Sequence, residues 1–514
     1  MALLGIDVGT SGCKVVAFRE NGEVLSSSGK EYPFITPRPG WLEIDPEKIW
    51  EAVCTALGEV GRDLREPISA LAVTSHGETL IPLGRDGQPL TFAIANFDVR
   101  ANRYVAFFRE RFDPFHLFSV TGMPLHGMYT VNKILWLRDH EPEIFERTWK
   151  FSCVEDFIVF RLTGEEPAMD YSLASRTMMF DVRKKTWAWE ILEAVGISKE
   201  RLPRVLPSGT PVGSLREDLA RDFGLRGKIL VATGGHDQPC GVLGCGVSSP
   251  GEAMYGIGTS ECVALNIGPS PFLTKEMMEN GFCCYPHVTE GDYITLAYIA
   301  SGGSLVRWFR DAIAPDKKQE ARELGKDPYR VLFEHLPEGP VPLFVLPHFA
   351  GSGTPYLDEH SRGAIVGLTL AASRWEIFRA ILESLTYEMK VNLDLFEAFG
   401  LPIVDLRAVG GGARSLEWLR MKADILGKTL LLPETEEAVA LGTAILAGKA
   451  AGIFAHAREG IAAMVRFRGK VEPSLERHET YGRYYSVYQK VYNGLKEVHE
   501  LLSMLQGEEE SREE

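Results

Sequence analysis

No apolar stretch in this 514-residue chain approaches the roughly 20 residues needed to cross a bilayer, so no α-helical membrane span is expected. Positive charge is also in deficit. Lys and Arg number 55 against 70 Asp and Glu, a net charge of −15, which argues against nucleic acid or an anionic membrane as partner. The eight cysteines (13, 54, 153, 240, 245, 262, 283 and 284) lack the paired spacing of a zinc site and read as buried free thiols of a reducing compartment. Met1-Ala2-Leu3-Leu4 runs into Asp7 with no basic segment before it, which is not the start of a signal peptide, so a cytoplasmic location is expected.

The common nucleotide motifs are missing as well. Gly427-Lys428-Thr429 has the end of a P-loop, but Lys422 stands where its first glycine belongs, and no G-x-G-x-x-G follows a strand. What the chain has instead is one short turn used twice. Gly9-Thr10-Ser11 and Gly258-Thr259-Ser260 lie 249 residues apart, each entered and left by an apolar run, the pattern of a β-hairpin with a polar tip. Such a tip offers backbone N–H groups and hydroxyls with little bulk, which suits phosphate oxygens. Asp7 sits inside the first apolar run, where a carboxylate needs a partner or a cation, and Gly256 takes its place in the second.

At this length two or three domains are expected, and alternating strand and helix patterns make them α/β. Strands are predicted at 2–9, 13–18, 23–28 and 68–74, a helix at 46–64 capped by Asp45, and a strand at 228–233 closing the first half. Val247-Ser248-Ser249-Pro250-Gly251 has linker composition. The boundaries read as 1–247, 248–470, a C-terminal helix over 471–506, and a disordered acidic tail at 507–514. Tyr481, Tyr484, Tyr485, Tyr488 and Tyr492 form an aromatic stripe on that helix, the signature of a packing face.

Several polar clusters interrupt this pattern. Gly234-Gly235-His236-Asp237-Gln238-Pro239 follows an apolar strand. Asp237 reads either as a helix N-cap just ahead of Pro239 or as a carboxylate facing a cleft, and the two roles are compatible. Ser75-His76-Gly77-Glu78 and Asn96-Phe97-Asp98-Val99-Arg100 would add an imidazole, carboxylates and a guanidinium to one wall, apt for several hydroxyl groups. Gly410-Gly411-Gly412-Ala413-Arg414-Ser415 lets a flat ring approach the backbone or simply turns the chain into a helix; Ser301-Gly302-Gly303-Ser304 is a weaker case.

Taken together these residues resemble the FGGY family of carbohydrate kinases, within the actin-like ATPase superfamily, over about 2–490. Both family signatures are present, Met128 to His140 and Gly363-Ala364-Ile365-Val366-Gly367-Leu368 with Glu376 to Glu383. The resemblance implies two ribonuclease H-like domains flanking a deep cleft for nucleotide and substrate. It further implies ATP and Mg²⁺ as cofactors, with Asp7 on the metal side. Thr10, Ser11 and Lys14 match the first phosphate loop, and Gly258 and Thr259 the second. Gly303, Arg307, Gly411 and Gly412 fall where the family holds adenosine. Asp237 matches the catalytic base, and His76, Glu78, Asp98, Arg100 and Gln238 fall on the substrate side.

Substrate is less defined. Glu78 looks like the acid of glycerol kinases, but Gly77 and Asn96 stand where they carry arginine and tryptophan. His76-Gly77 and Asp98-x-Arg100 look more like xylulokinases, although Asn96-Phe97-Asp98 departs from their Trp-Asn-Asp. The expected acceptor is a ketose or polyol larger than glycerol, xylulose-like. Rival readings are an ATPase on the same scaffold without sugar kinase activity and a catalytically silent sugar-binding regulator. A homodimer is an expectation left open.

Overall fold

The computed structural model describes residues 1–513 and contains two large sheets built on one plan. In the first, β1 (Ala2–Val8), β2 (Gly12–Arg19) and β3 (Val24–Glu31) are antiparallel neighbours. β4 (Ile68–Ser75) joins β1 in parallel, β5 (Pro211–Ser214) is an antiparallel edge, and β6 (Leu230–His236) lies parallel between β5 and β4.

The second sheet repeats the plan with β7 (Glu252–Ile257), β8 (Glu261–Gly268), β9 (Tyr285–Pro286) and β10 (Tyr293–Ile299) antiparallel in the order β9-β10-β8-β7. β11 (Asp405–Val409) and β12 (Leu430–Pro433) follow in parallel, and β13 (Phe467–Val471) is the antiparallel edge. The two glycine turns thus occupy equivalent corners, between β1 and β2 and between β7 and β8. These are the two ribonuclease H-like domains that the resemblance implies.

β1 is apolar at successive rather than alternate positions because both of its faces are covered by helices. Ala2, Leu4, Ile6 and Val8 pack on the helix Pro46–Asp63, whose first turn is capped by Asp45 accepting from the Glu47 N–H. Leu3 faces the other way, onto the helix Ala438–Ala450 contributed by the second half of the chain. Small residues allow that contact. A Cβ at Gly5 would stand 2.0 Å from the Ala440 carbonyl oxygen, and one at Gly442 would stand 1.9 Å from that of Cys240. The helices Asp237–Gly244 and Ala438–Ala450 therefore lie nearly in backbone contact where the two halves meet.

The stretch read as one C-terminal helix is two, Leu475–Tyr488 and Val491–Glu513, with the break after Tyr488. Its aromatic stripe packs as expected: Tyr481, Tyr485, Tyr488 and Tyr492 are buried. Their hydroxyls donate to Glu383 (3.3 Å), Asp394 (2.6 Å), Glu388 (2.5 Å) and Asp358 (2.9 Å). The acidic tail expected at 507–514 falls at the end of the second helix, where the side chains and Glu514 lie outside the described residues.

Candidate active site

The first hairpin tip is tight. The Gly9 N–H donates to the Gly12 carbonyl at 2.9 Å, and the Tyr32 hydroxyl donates to the Gly9 carbonyl. Thr10 and Lys14 are partly exposed and Ser11 is open to solvent. Asp7 sits opposite Lys14 across the ladder. The Lys14 ammonium is paired with Glu437, the residue just before the helix Ala438–Ala450. Burial, with the charges of Asp237 and Glu437 adding to it and Lys14 opposing, pushes the Asp7 carboxyl up to about 7.

The second tip, Gly258-Thr259-Ser260, is exposed. Its base is fastened to the start of the helix Gly303–Trp308. The Gly303 and Ser304 N–H groups donate to the Gly258 and Thr259 carbonyls at 2.8 and 3.1 Å. A Cβ at Gly303 would fall 2.8 Å from the Gly258 oxygen, so this close approach requires glycine. Arg307 is exposed in the last turn of the same helix. Beside the tip runs the turn of Gly410 to Arg414. Gly410 has φ of +91° and would place a Cβ 2.7 Å from the Ile257 oxygen; a Cβ at Gly412 would strike Ile257 and Trp418, while Gly411 faces open space.

Asp237 is the first residue of the helix Asp237–Gly244, and His236 rather than Asp237 is its N-cap. The Asp237 carboxylate instead accepts from Gln238, through its backbone N–H and its side chain. Its Oδ1 is buried without a hydrogen-bond partner. His236 Nε2 stands 3.2 Å away, out of line for a hydrogen bond, and burial holds that imidazole well below its usual range and neutral. Burial, then the charge of Glu78, pushes Asp237 up to about 7, with Arg176 pulling the other way. Gln238, partly exposed, follows in the same turn.

The remaining polar residues divide by what already holds them. His76 is buried and spends both ring nitrogens, Nδ1 on the Val8 carbonyl at 3.1 Å and Nε2 on the Thr79 hydroxyl at 2.8 Å. The Asp98 carboxylate accepts twice from the Arg100 guanidinium, at 2.9 and 2.7 Å, and once from its backbone N–H at 2.9 Å; Arg100 also pairs with Glu43 at 2.8 Å and stacks 3.9 Å over Trp41. Glu78, at φ of +66°, is buried against Arg176, which bonds it through Nε and Nη2. Its carbonyl accepts from Lys133 Nζ at 2.9 Å and from the Thr130 hydroxyl at 3.1 Å. Asn96, Asp98, His126 and Met128 from the first half, with Tyr298, Phe349, Asp358 and Arg362 from the second, line a cavity of about 570 Å³.

Arg176 and Glu437 are the participants that sequence reasoning missed. Each meets its partner across a long stretch of chain, 98 residues for Arg176 and Glu78 and 423 for Lys14 and Glu437. No local pattern marks either residue.

The family comparison covers the chain. The N-terminal domain of the FGGY family of carbohydrate kinases matches residues 2–244, and its C-terminal domain matches 253–451. The xylulose kinase of Bacillus subtilis is 29% identical over 97% of this chain and 98% of its own length. The glycerol kinase of Acidovorax ebreus is 31% identical over 93% and 96%. The ligand-bound xylulose kinase structure from Lactobacillus acidophilus superposes with a TM-score of 0.88 at 25% identity, covering 96% of this chain and 98% of that one. Twin hairpin corners and a match to both family domains lead to one conclusion: the chain belongs to the FGGY family of carbohydrate kinases and is an ATP-dependent phosphotransferase.

Proposed function

We propose that the protein transfers the γ-phosphate of ATP to a hydroxyl of a ketose or polyol, xylulose-like in size, in the cytoplasm. Asp237 serves as the base, and the two Gly-Thr-Ser tips hold the triphosphate from opposite sides. The observation that carries this reading is the bare, buried Oδ1 of Asp237 at the meeting point of the two halves. A buried acceptor without a donor is costly, and an incoming hydroxyl would supply one.

Asp237 takes the hydroxyl proton as the oxygen attacks phosphorus, and the ADP oxygen leaves with the bond electrons. A carboxylate poised near 7 is matched to that transfer at neutral pH. Lys14 and the backbone N–H groups of the tips neutralise charge on the moving group. To do so, Lys14 exchanges Glu437 for a phosphate oxygen. Gly303, Arg307, Gly411 and Gly412 flank the adenosine, the glycines admitting it close to the backbone.

The crowding of Asp7 by two further carboxylates fits a cation in their midst. Among the described residues no three His, Cys, Asp or Glu side chains converge as a direct metal cage. Mg²⁺ keeps several waters and takes one or two carboxylates plus phosphate oxygens, a role a carboxylate beside the phosphate loop can fill. The ion would supply charge neutralisation at the transferring phosphate; Asp7 is the residue that would hold it, through water.

On the substrate side, Asp98 lines the cavity itself, and Glu78, held in its buried pair with Arg176, is the further carboxylate proposed for the acceptor's hydroxyls. Asp98, Arg100 and His76 shape the wall through the bonds they already make. The test is an acceptor screen with MgATP over three- to six-carbon ketoses, polyols and sugar acids, run on the wild type and on Asp237→Asn. One acceptor should stimulate ATP consumption, and the variant should lose at least about 100-fold in turnover while retaining ATP binding. Hydrolysis indifferent to every acceptor would favour the ATPase reading, and an undiminished Asp237→Asn would reduce Asp237 to a structural residue.

A further inference from the structure

The strand that delivers Asp237 is irregular at its end. β6 pairs with β4 residue for residue until Thr233 opposite Val73, but the next pair is Gly235 opposite Thr74, so Gly234 is an extra residue and the ladder is broken there. A bulge of this kind re-aims the chain beyond it, and it also removes ladder partners from buried backbone groups. Gly234 is needed for the bulge itself, since a Cβ would stand 2.1 Å from the Val73 oxygen.

Three buried side chains take over the lost partners on consecutive residues. Glu155 Oε1 accepts from the Gly234 N–H at 2.8 Å. The Thr74 hydroxyl donates to the Gly235 carbonyl at 2.6 Å. Ser172 Oγ accepts from the His236 N–H at 2.9 Å. All three side chains have no exposed surface. Two of them, Ser172 and Glu155, are also tied together, because the Ser172 hydroxyl donates to Asp170 at 2.8 Å and the Asp170 N–H donates to Glu155 Oε2 at 3.2 Å. Asp170 takes a further bond from the Ser208 hydroxyl at 2.7 Å. A Cβ at Gly235 would come 2.9 Å from Ser172 Oγ, so backbone and network are fitted to each other.

From this arrangement we infer that Glu155, Thr74 and Ser172 are positioning residues for phosphoryl transfer: they replace the missing ladder of a bulged strand and thereby fix the direction of the Asp237 carboxylate. The inference rests on the reading of Asp237 as the base. None of the three touches the cleft, so each acts through Asp237. Such a role has a large kinetic lever, because a misplacement of about 1 Å can cost on the order of 100-fold in rate.

The experiment is a double-mutant cycle on the full chain, with MgATP and the fastest acceptor among D-xylulose, D-ribulose, erythritol and glycerol. Ser172→Ala should lower kcat by about tenfold or more with the KM for MgATP held within about twofold, the split expected of misaligned chemistry rather than lost binding. In the Asp237→Asn background the same change should cost nothing further, since the group it aims is gone. Thr74→Val, which deletes only a hydroxyl and keeps the shape, is the second arm should Ser172→Ala fail to fold, and the same pattern is expected on a smaller scale. Glu155→Gln keeps only one of the two acceptor oxygens, leaving the Gly234 or the Asp170 N–H facing an amide donor, and should lose kcat in the same direction, with Glu155→Leu losing more. Full kcat in both Ser172→Ala and Thr74→Val, or an equal fractional loss with and without Asp237, would overturn the inference. A fully active Asp237→Asn would instead overturn the base assignment beneath it.

Discussion

Replacing Arg176 with Met probes the charge balance of the cleft. Its guanidinium and the Glu78 carboxylate are shielded almost completely, with side-chain exposures of 9% and 3%. Removing one member of such a pair strands the other charge in a poorly solvated place, at a cost of ~3–5 kcal/mol. For a folding unit of 150–250 residues ~1 kcal/mol lowers the melting midpoint by about 2–4 °C, so Arg176→Met should lose on the order of 6–20 °C. The double variant Arg176→Met/Glu78→Gln removes both charges and should recover at least about half of that. The Glu78 carbonyl remains held by Lys133 and Thr130, so the loop itself is not released.

Kinetics gives an independent sign. Arg176 pulls the Asp237 pKa down and Glu78 pushes it up, around a value of about 7. The acid limb of the kcat/KM profile should therefore move to higher pH in Arg176→Met and to lower pH in Glu78→Gln. Differential scanning fluorimetry and pH–rate profiles suffice. A midpoint within about 2 °C of wild type, well under the cost of a stranded charge, or two acid limbs moving in the same direction, would refute the reasoning.

Two other outcomes follow from the same geometry. Lys14→Met removes a charge-assisted contact worth about 1.5–3 kcal/mol, so the KM for MgATP should rise roughly 10- to 100-fold with little change in the KM for the acceptor; an unchanged KM for MgATP contradicts the phosphate role. Asp156 is buried and pushed up to about 7 from 3.8, chiefly by burial, so the folded state holds its proton longer than the unfolded state does. Its contribution to stability is therefore lost as pH rises from about 4 through about 7, by at most ~4 kcal/mol. Asp156→Asn should flatten the fall in urea stability between pH 5.5 and pH 8, and an unaltered slope contradicts the assignment.

Much of this architecture was legible from local chemistry. The twin Gly-Thr-Ser turns announced the duplicated corners because a tip without bulk is a local requirement. Asp45-Pro46 marked a helix start for the same reason. The place of the helix Ala438–Ala450 against β1 was not legible, since it depends on Gly5 and Gly442 meeting backbone from distant parts of the chain. His76, Asp98 and Arg100 were recognised as polar residues near the cleft. Their sequence gave no sign that Val8, Thr79, Glu43 and Trp41 already engage them. Arg176, Glu437 and the bulge after Thr233 were invisible for one physical reason: each is defined by a partner far away in the chain, and periodicity carries no record of such pairings.

A crystal structure with a non-hydrolysable MgATP analogue and the acceptor tests the central claim most directly. The account expects the triphosphate between residues 9–11 and 258–260, with Lys14 turned from Glu437 to a phosphate oxygen and an acceptor hydroxyl within hydrogen-bond reach (about 2.6–3.2 Å) of the Asp237 carboxylate. Both tips facing bulk solvent with the nucleotide bound elsewhere, or the acceptor hydroxyl out of reach of Asp237, would contradict it.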